Sequence, residues 1–127
     1  MGYLWVAFGS ALGGMLRYGC SGFAARLLGP SFPWGTLMVN VAGSLIIGFL
    51  ATLIAPDGRL LVSPDARAFA LIGVLGGFTT FSSFSLETLN LARDGEWLFA
   101  SVNVLASVAL CLGAVWLGHI GATVLNR

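Results

Sequence analysis

Residues 79–87 read TTFSSFSLE, two threonines, three serines and a carboxylate wrapped around two phenylalanines. Hydroxyl groups at this density can strip and replace the water around a small ion, because each carries a donor and two acceptor lone pairs. Gly76 and Gly77 precede the run and weaken a helix at that point. The hydroxyls of Thr79 and Thr80 can then satisfy the backbone groups that a broken helix releases. Three further polar rows recur at helical spacing: Ser10, Gly14, Arg17 and Ser21; Thr36, Asn40 and Ser44; Asn103, Ser107 and Cys111. Arg17 is either a side chain that reaches an interface or a fixed positive charge that attracts an anion. Asn40 is either polar glue between helices or an amide donor facing an ion. The single histidine, His119, has a packing or interfacial role rather than that of a proton relay. Cys20 and Cys111 lack metal-ligand spacing and read as small core residues.

The elements that hold these residues are set by composition. Of 127 residues, 57% are hydrophobic and 9% charged, which fits an integral membrane protein better than a soluble domain with about 25% charged residues. At about 20 apolar residues per crossing there is room for four membrane helices and little else. The expected architecture is therefore all-α, one domain over residues 1–127, with no soluble catalytic module and no basic arm for nucleic acid. The first span covers residues 3–28, and Gly9 and Gly13 give it the spacing for close helix packing. A turn with Pro30 and Pro33 leads to a second span over residues 35–55, where Gly43 and Gly48 mark close contacts. Ser63, Pro64 and Asp65 read as an N-cap, a first-turn proline and an acid that start the third helix, which runs to Arg93. A continuous helix of that length would span about 43 Å, so its break over residues 76–80 falls near mid-membrane. Beyond the break Thr80, Ser83, Glu87 and Asn90 share one stripe. Asp94, Gly95 and Glu96 form a tight turn into a fourth span over residues 97–125. The chain's start has no basic leader and reads as the beginning of the first span.

With four spans, Arg59, Arg67 and Arg127 lie on one side and Arg26 and Arg93 on the other, and there is no lysine. Three against two is almost no bias under the positive-inside rule, so insertion in both orientations is expected. Two oppositely inserted copies can pair about a two-fold axis in the membrane plane. Their broken third helices would bring unwound carbonyls together in a cage suited to Na⁺.

The runs GSALGGMLRYG (9–19), WGTLMVNVAGSLIIGF (34–49) and GVLGGFTTFSSFSLET (73–88) resemble the signature segments of the Fluc (CrcB) fluoride channels. The resemblance covers essentially the whole chain. It implies a dual-topology antiparallel homodimer in a bacterial inner membrane, with two fluoride pathways and a structural Na⁺ held by the backbone carbonyls of Gly76 and Thr79 from both copies. Phe81 and Phe84 match the family's paired pore phenylalanines, Asn40 its pore asparagine, Arg17 its first-helix arginine and Glu87 its third-helix glutamate. Asn103, Ser107 and Cys111 occupy its polar track, where a thiol is a weaker donor than a hydroxyl.

Chemistry agrees with that implication. Fluoride is small and strongly hydrated, and Asn40, Thr80, Ser82 and Ser83 offer donors to replace its water. Aromatic ring edges carry positive potential, so Phe81 and Phe84 can touch an anion edge-on. Glu87 can orient or gate the neighbouring hydroxyls. Spacing alone favours Phe78, Phe81 and Phe84 as one lipid-facing or packing stripe, and only the family motif turns the reading toward a pore. The expected function is passive fluoride export that lowers intracellular toxicity, with no enzymatic activity. A small multidrug transporter, the rival of similar length, needs a carboxylate in the first helix, where Arg17 stands instead. A membrane scaffold would leave the broken third helix unexplained.

Overall fold

The computed structural model describes residues 1–127, and every regular element in it is helical. Helix α1 spans Gly2–Leu28, α2 Trp34–Leu53, α3 Pro64–Arg93 with an internal break, and α4 Trp97–Leu125. Ser63 caps α3 as its sequence predicts, its hydroxyl accepting the Ala66 N–H at 3.1 Å with Pro64 in the first turn. Gly95 turns the chain between α3 and α4 at φ 80°, a left-handed conformation that favours glycine.

Helix α3 has three parts. Pro64–Arg67 is an α-helical turn, Ala68–Leu75 is π-helical, and Gly76–Phe78 returns to α geometry. Thr79 and Thr80 are then extended, with φ/ψ of −91°/157° and −152°/111°, before Phe81–Arg93 resumes the helix. The break thus begins after the glycine pair. Thr80 restarts the helix, its hydroxyl capping the Ser83 N–H at 3.1 Å. Because the extended pair resets the helical register, Phe78 does not continue the stripe of Phe81 and Phe84; it lies by Gly43 of α2.

Two pairs of helices approach backbone to backbone over several turns, and α1 also meets α2 where Gly35 lies on the Ser21 backbone. Along α1 and the first arm of α3, Gly9 faces Phe69 and Gly73, and Gly13 faces Val74 and Phe78, so the two run in the same direction. A methyl group at Gly13 would overlap the Val74 carbonyl, which is why the position needs glycine. Along α2 and α4, Gly48 faces Val115 and the Thr52 hydroxyl meets His119 Nδ1 at 2.8 Å, again in parallel. The second arm of α3 runs against α2, with Thr36 beside Glu87 and Asn40 beside Thr80. The chain therefore alternates direction from helix to helix.

By length and apolar composition, α2, α3 and α4 are each fit to cross a bilayer. Helix α1 has 27 residues, enough for about 40 Å. Its composition alone does not place it with the other three, so composition supports three crossings rather than the four expected. Large apolar side chains such as Leu12, Phe23, Leu105 and Trp116 point outward, as a lipid environment allows.

Candidate functional site

The site is built at the break in α3. In an unbroken helix the Gly76 carbonyl would accept from the Thr80 N–H and the Thr79 carbonyl from the Ser83 N–H. Here the Thr80 N–H donates instead to Asn40 Oδ1 at 2.7 Å, and the Ser83 N–H to Thr80 Oγ1 at 3.1 Å. The helical donors of Gly76 and Thr79 are thus spent elsewhere. Asn40 also donates through Nδ2 to the Thr80 carbonyl at 3.0 Å, so one side chain pairs both backbone groups of the extended residue as a neighbouring strand would. The Thr79 hydroxyl bonds back to the Leu75 carbonyl at 3.0 Å, which already accepts the Thr79 N–H, so of the two threonine hydroxyls only that of Thr80 takes up a group the break releases.

Two cavities meet at this break. The first, about 370 Å³, is lined by Asn40, Ser44, Gly76, Thr79, Thr80, Phe81, Phe84, Ser107 and Cys111, together with apolar residues of α2 and α4. The second, about 790 Å³, is lined by Arg17, Ser21, Arg26, Thr36, Thr80, Ser83 and Glu87. Thr80 borders both. The polar rows of the four helices are therefore sorted into a mostly apolar groove and a strongly polar cleft, separated by the extended backbone.

In the groove, the rings of Phe81 and Phe84 lie 5.3 Å apart at 49°. Phe84 is buried at 8% exposure, whereas Phe81 is 78% exposed. In the cleft, the Thr36 hydroxyl donates to Glu87 Oε1 at 2.7 Å, and Glu87 Oε2 is buried without a partner. The Thr80 hydroxyl, at 3.1 Å from Ser83 Oγ, gives its proton to that oxygen. It follows that the Ser83 proton is the one left to face the cleft, and that Ser82 Oγ, 3.2 Å away, donates to Thr80.

Asn40, Thr80, Phe81, Phe84 and Ser107 are brought together in the groove, and Arg17, Thr80, Ser83 and Glu87 in the cleft. Two expected residues stand apart. Ser82 is exposed and lines neither cavity, and Asn103 is 1% exposed, enclosed between α3 and α4. Asn103 Nδ2 donates to the Thr88 hydroxyl at 2.9 Å. Thr88 was not among the expected site residues. The signal that would have found it is symmetry about the turn: Thr88 and Asn103 lie seven and eight residues either side of Gly95, so they face each other across the hairpin. His119 keeps the packing role read from sequence, bonded to Thr52 and set against the Trp116 ring at 5.7 Å.

Comparison with known proteins bears on what such a site serves. The family model described as "CrcB-like protein, Camphor Resistance (CrcB)" matches residues 4–119. The protein named "Fluoride-specific ion channel FluC" of Opitutus terrae is 62% identical over 124 residues, which cover 98% of this chain and 94% of that one. Proteins of the same name from Rhodospirillum rubrum and Paramagnetospirillum magneticum are 56% identical over 127 residues and 58% over 125, each alignment covering 98% of the relative and at least 98% of this chain. These relatives are channels and not enzymes. With a family model spanning nearly its full length and relatives of more than half its sequence, this chain belongs to the CrcB family of fluoride channels.

Proposed function

We propose that this chain is a passive, fluoride-selective channel of a bacterial inner membrane that lets F⁻ leave the cytoplasm, and that it works as a pair of oppositely inserted copies. The observation that carries this reading is the break in α3. It sets two phenylalanine rings, an asparagine amide and a ring of hydroxyls around cavities that meet at one extended residue. Arg17 and Arg26 give the polar cleft a positive wall that draws an anion toward Ser83, whose hydroxyl proton is unspent. Asn40 has given one amide proton to Thr80 and keeps a second, and Asn40 lines the groove. The ring edges of Phe81 and Phe84 complete the replacement of water while their bulk discourages larger anions. Residues 1–127 act as one transmembrane domain in which α1 also crosses; its glycine contact along the first arm of α3 holds it at the same depth.

Gly76 and Thr79 suit a structural Na⁺. Their carbonyls have lost their helical donors and both residues line the groove at the break. One chain offers too few such oxygens, and a two-fold copy doubles them. A cation there would tie the two copies together at the membrane centre. Purification with Na⁺ replaced throughout by N-methylglucamine is expected to shift the protein from dimer toward monomer on dilution, read by single-molecule photobleaching; an unchanged dimer fraction after prolonged exchange counts against the cation.

No coupling is required for export. Hydrofluoric acid enters as neutral HF and dissociates inside, and an inside-negative potential of 100 mV is worth about 2.3 kcal/mol per ion, roughly a fiftyfold concentration ratio. The test is efflux from liposomes holding the purified protein, followed by a fluoride electrode beside a chloride control. Fluoride release on adding a potassium ionophore, with chloride retained, is the expected result. Retention of fluoride by vesicles containing folded dimer would overturn the reading.

A further inference from the structure

Asn103 is the most enclosed large side chain in the molecule, and its surroundings give it a different task from ion contact. It is the middle of a relay that starts in the groove and ends on the backbone of Phe84. The Ser107 hydroxyl donates to Asn103 Oδ1 at 3.5 Å, Asn103 Nδ2 donates to Thr88 Oγ1 at 2.9 Å, and the Thr88 hydroxyl donates to the Phe84 carbonyl at 2.7 Å. Proton bookkeeping gives the relay one direction. Thr88 has a single proton, committed to Phe84, so toward Asn103 it can only accept. That fixes the amide with its nitrogen toward Thr88 and its oxygen toward Ser107, leaving Ser107 as the donor.

We propose that Thr88 and Asn103 are positioning residues for conduction: they hold the Phe84 segment at one register against α4 and park the Ser107 hydroxyl until an anion enters the groove. The inference rests on the reading of the chain as a fluoride channel. Its lengths are uneven in a meaningful way. The two bonds nearest Phe84 are short, as a rigid support requires, whereas the bond from Ser107, though buried, is at the limit of hydrogen-bond length. Ser107 also lines the groove beside Phe84, while neither Asn103 nor Thr88 does. Ser107 can therefore turn its proton to a passing anion at small cost, and the amide behind it returns the hydroxyl to the same place afterwards. A serine without that acceptor would turn its proton back to the carbonyl one turn earlier, as Ser85 does to Phe81, and Phe84 without Thr88 would lose its tie to α4.

The experiment compares T88V, T88A and T88S with the unaltered protein in the same fluoride efflux assay, with dimer assembly followed by gel filtration. Efflux from the unaltered protein tests the channel reading itself, separately from the variants. T88V or T88A is expected to lower fluoride flux about tenfold in an intact dimer, while T88S, which keeps the hydroxyl, stays within about twofold. Equal flux in T88V and the unaltered protein would overturn the proposal. So would an equal loss in T88S, which would assign the effect to side-chain volume. If T88V and T88A both fail to assemble while T88S assembles, the hydroxyl holds the fold and the positioning role falls.

Discussion

Phe84→Ile is expected to reduce fluoride efflux by up to about tenfold while the protein still elutes as the unaltered dimer. Isoleucine keeps most of the buried apolar volume of Phe84, which is 8% exposed, but offers no ring edge to an anion. Aromatic edge contacts are worth about 0.5–1.5 kcal/mol each, and the upper figure is roughly a factor of ten in rate. The substitution also removes the ring partner of Phe81, 5.3 Å away, and frees the exposed ring to swing. Phe81→Ile provides the control for packing, because a ring that is 78% exposed contributes little to the stability of the single chain. Normal efflux in both variants would return the two phenylalanines to a packing role.

Asn40→Leu is expected to have the largest effect on stability. The leucine leaves the N–H and the C=O of Thr80, a residue only 9% exposed, without the partner that satisfies both. Each orphaned group costs about 1–3 kcal/mol, so the pair costs about 2–6 kcal/mol against a total stability of about 5–15 kcal/mol. A fall in melting temperature of about 10 °C or more follows, measurable by intrinsic fluorescence in detergent. Asn40→Asp separates the two tasks of the residue. The carboxylate keeps an acceptor for the Thr80 N–H and partly preserves the fold, but it puts a negative charge into an anion path and abolishes efflux. A well-folded Asn40→Leu protein with normal efflux would show that the extended break needs no partner from α2.

The places where the sequence could be read are those where local chemistry admits one solution. Ser63-Pro64-Asp65 starts a helix and Asp94-Gly95-Glu96 turns one where expected, and the break expected over residues 76–80 is confined to Thr79 and Thr80, because Gly76–Phe78 stays helical. The π-helical stretch over Ala68–Leu75 has no such mark, since its apolar residues fit an ordinary helix equally well. Sorting of the polar rows was also out of reach. Periodicity tells which residues share a face, but the neighbour of that face depends on packing across the bundle. Arg17 and Glu87 line a different cavity from Asn40 and Ser107 for that reason. Asn103 illustrates the same limit, because its row with Ser107 and Cys111 is real and yet its own side chain is turned into the contact with Thr88.

The closest helix contacts join α1 to α3 and α2 to α4, each the next but one in the chain. This has a consequence for biogenesis. Before α3 and α4 are made, α1 and α2 meet where Gly35 lies on the Ser21 backbone, and their remaining glycine faces lack their tightest partners. Helix α3 closes the first seam and α4 the second, so tight packing is completed only as the last helix arrives. A ribosome stalled before α4 would leave a loosely assembled intermediate, open to lateral exchange with other helices or to membrane proteases, and synthesis itself would act as the clock for assembly.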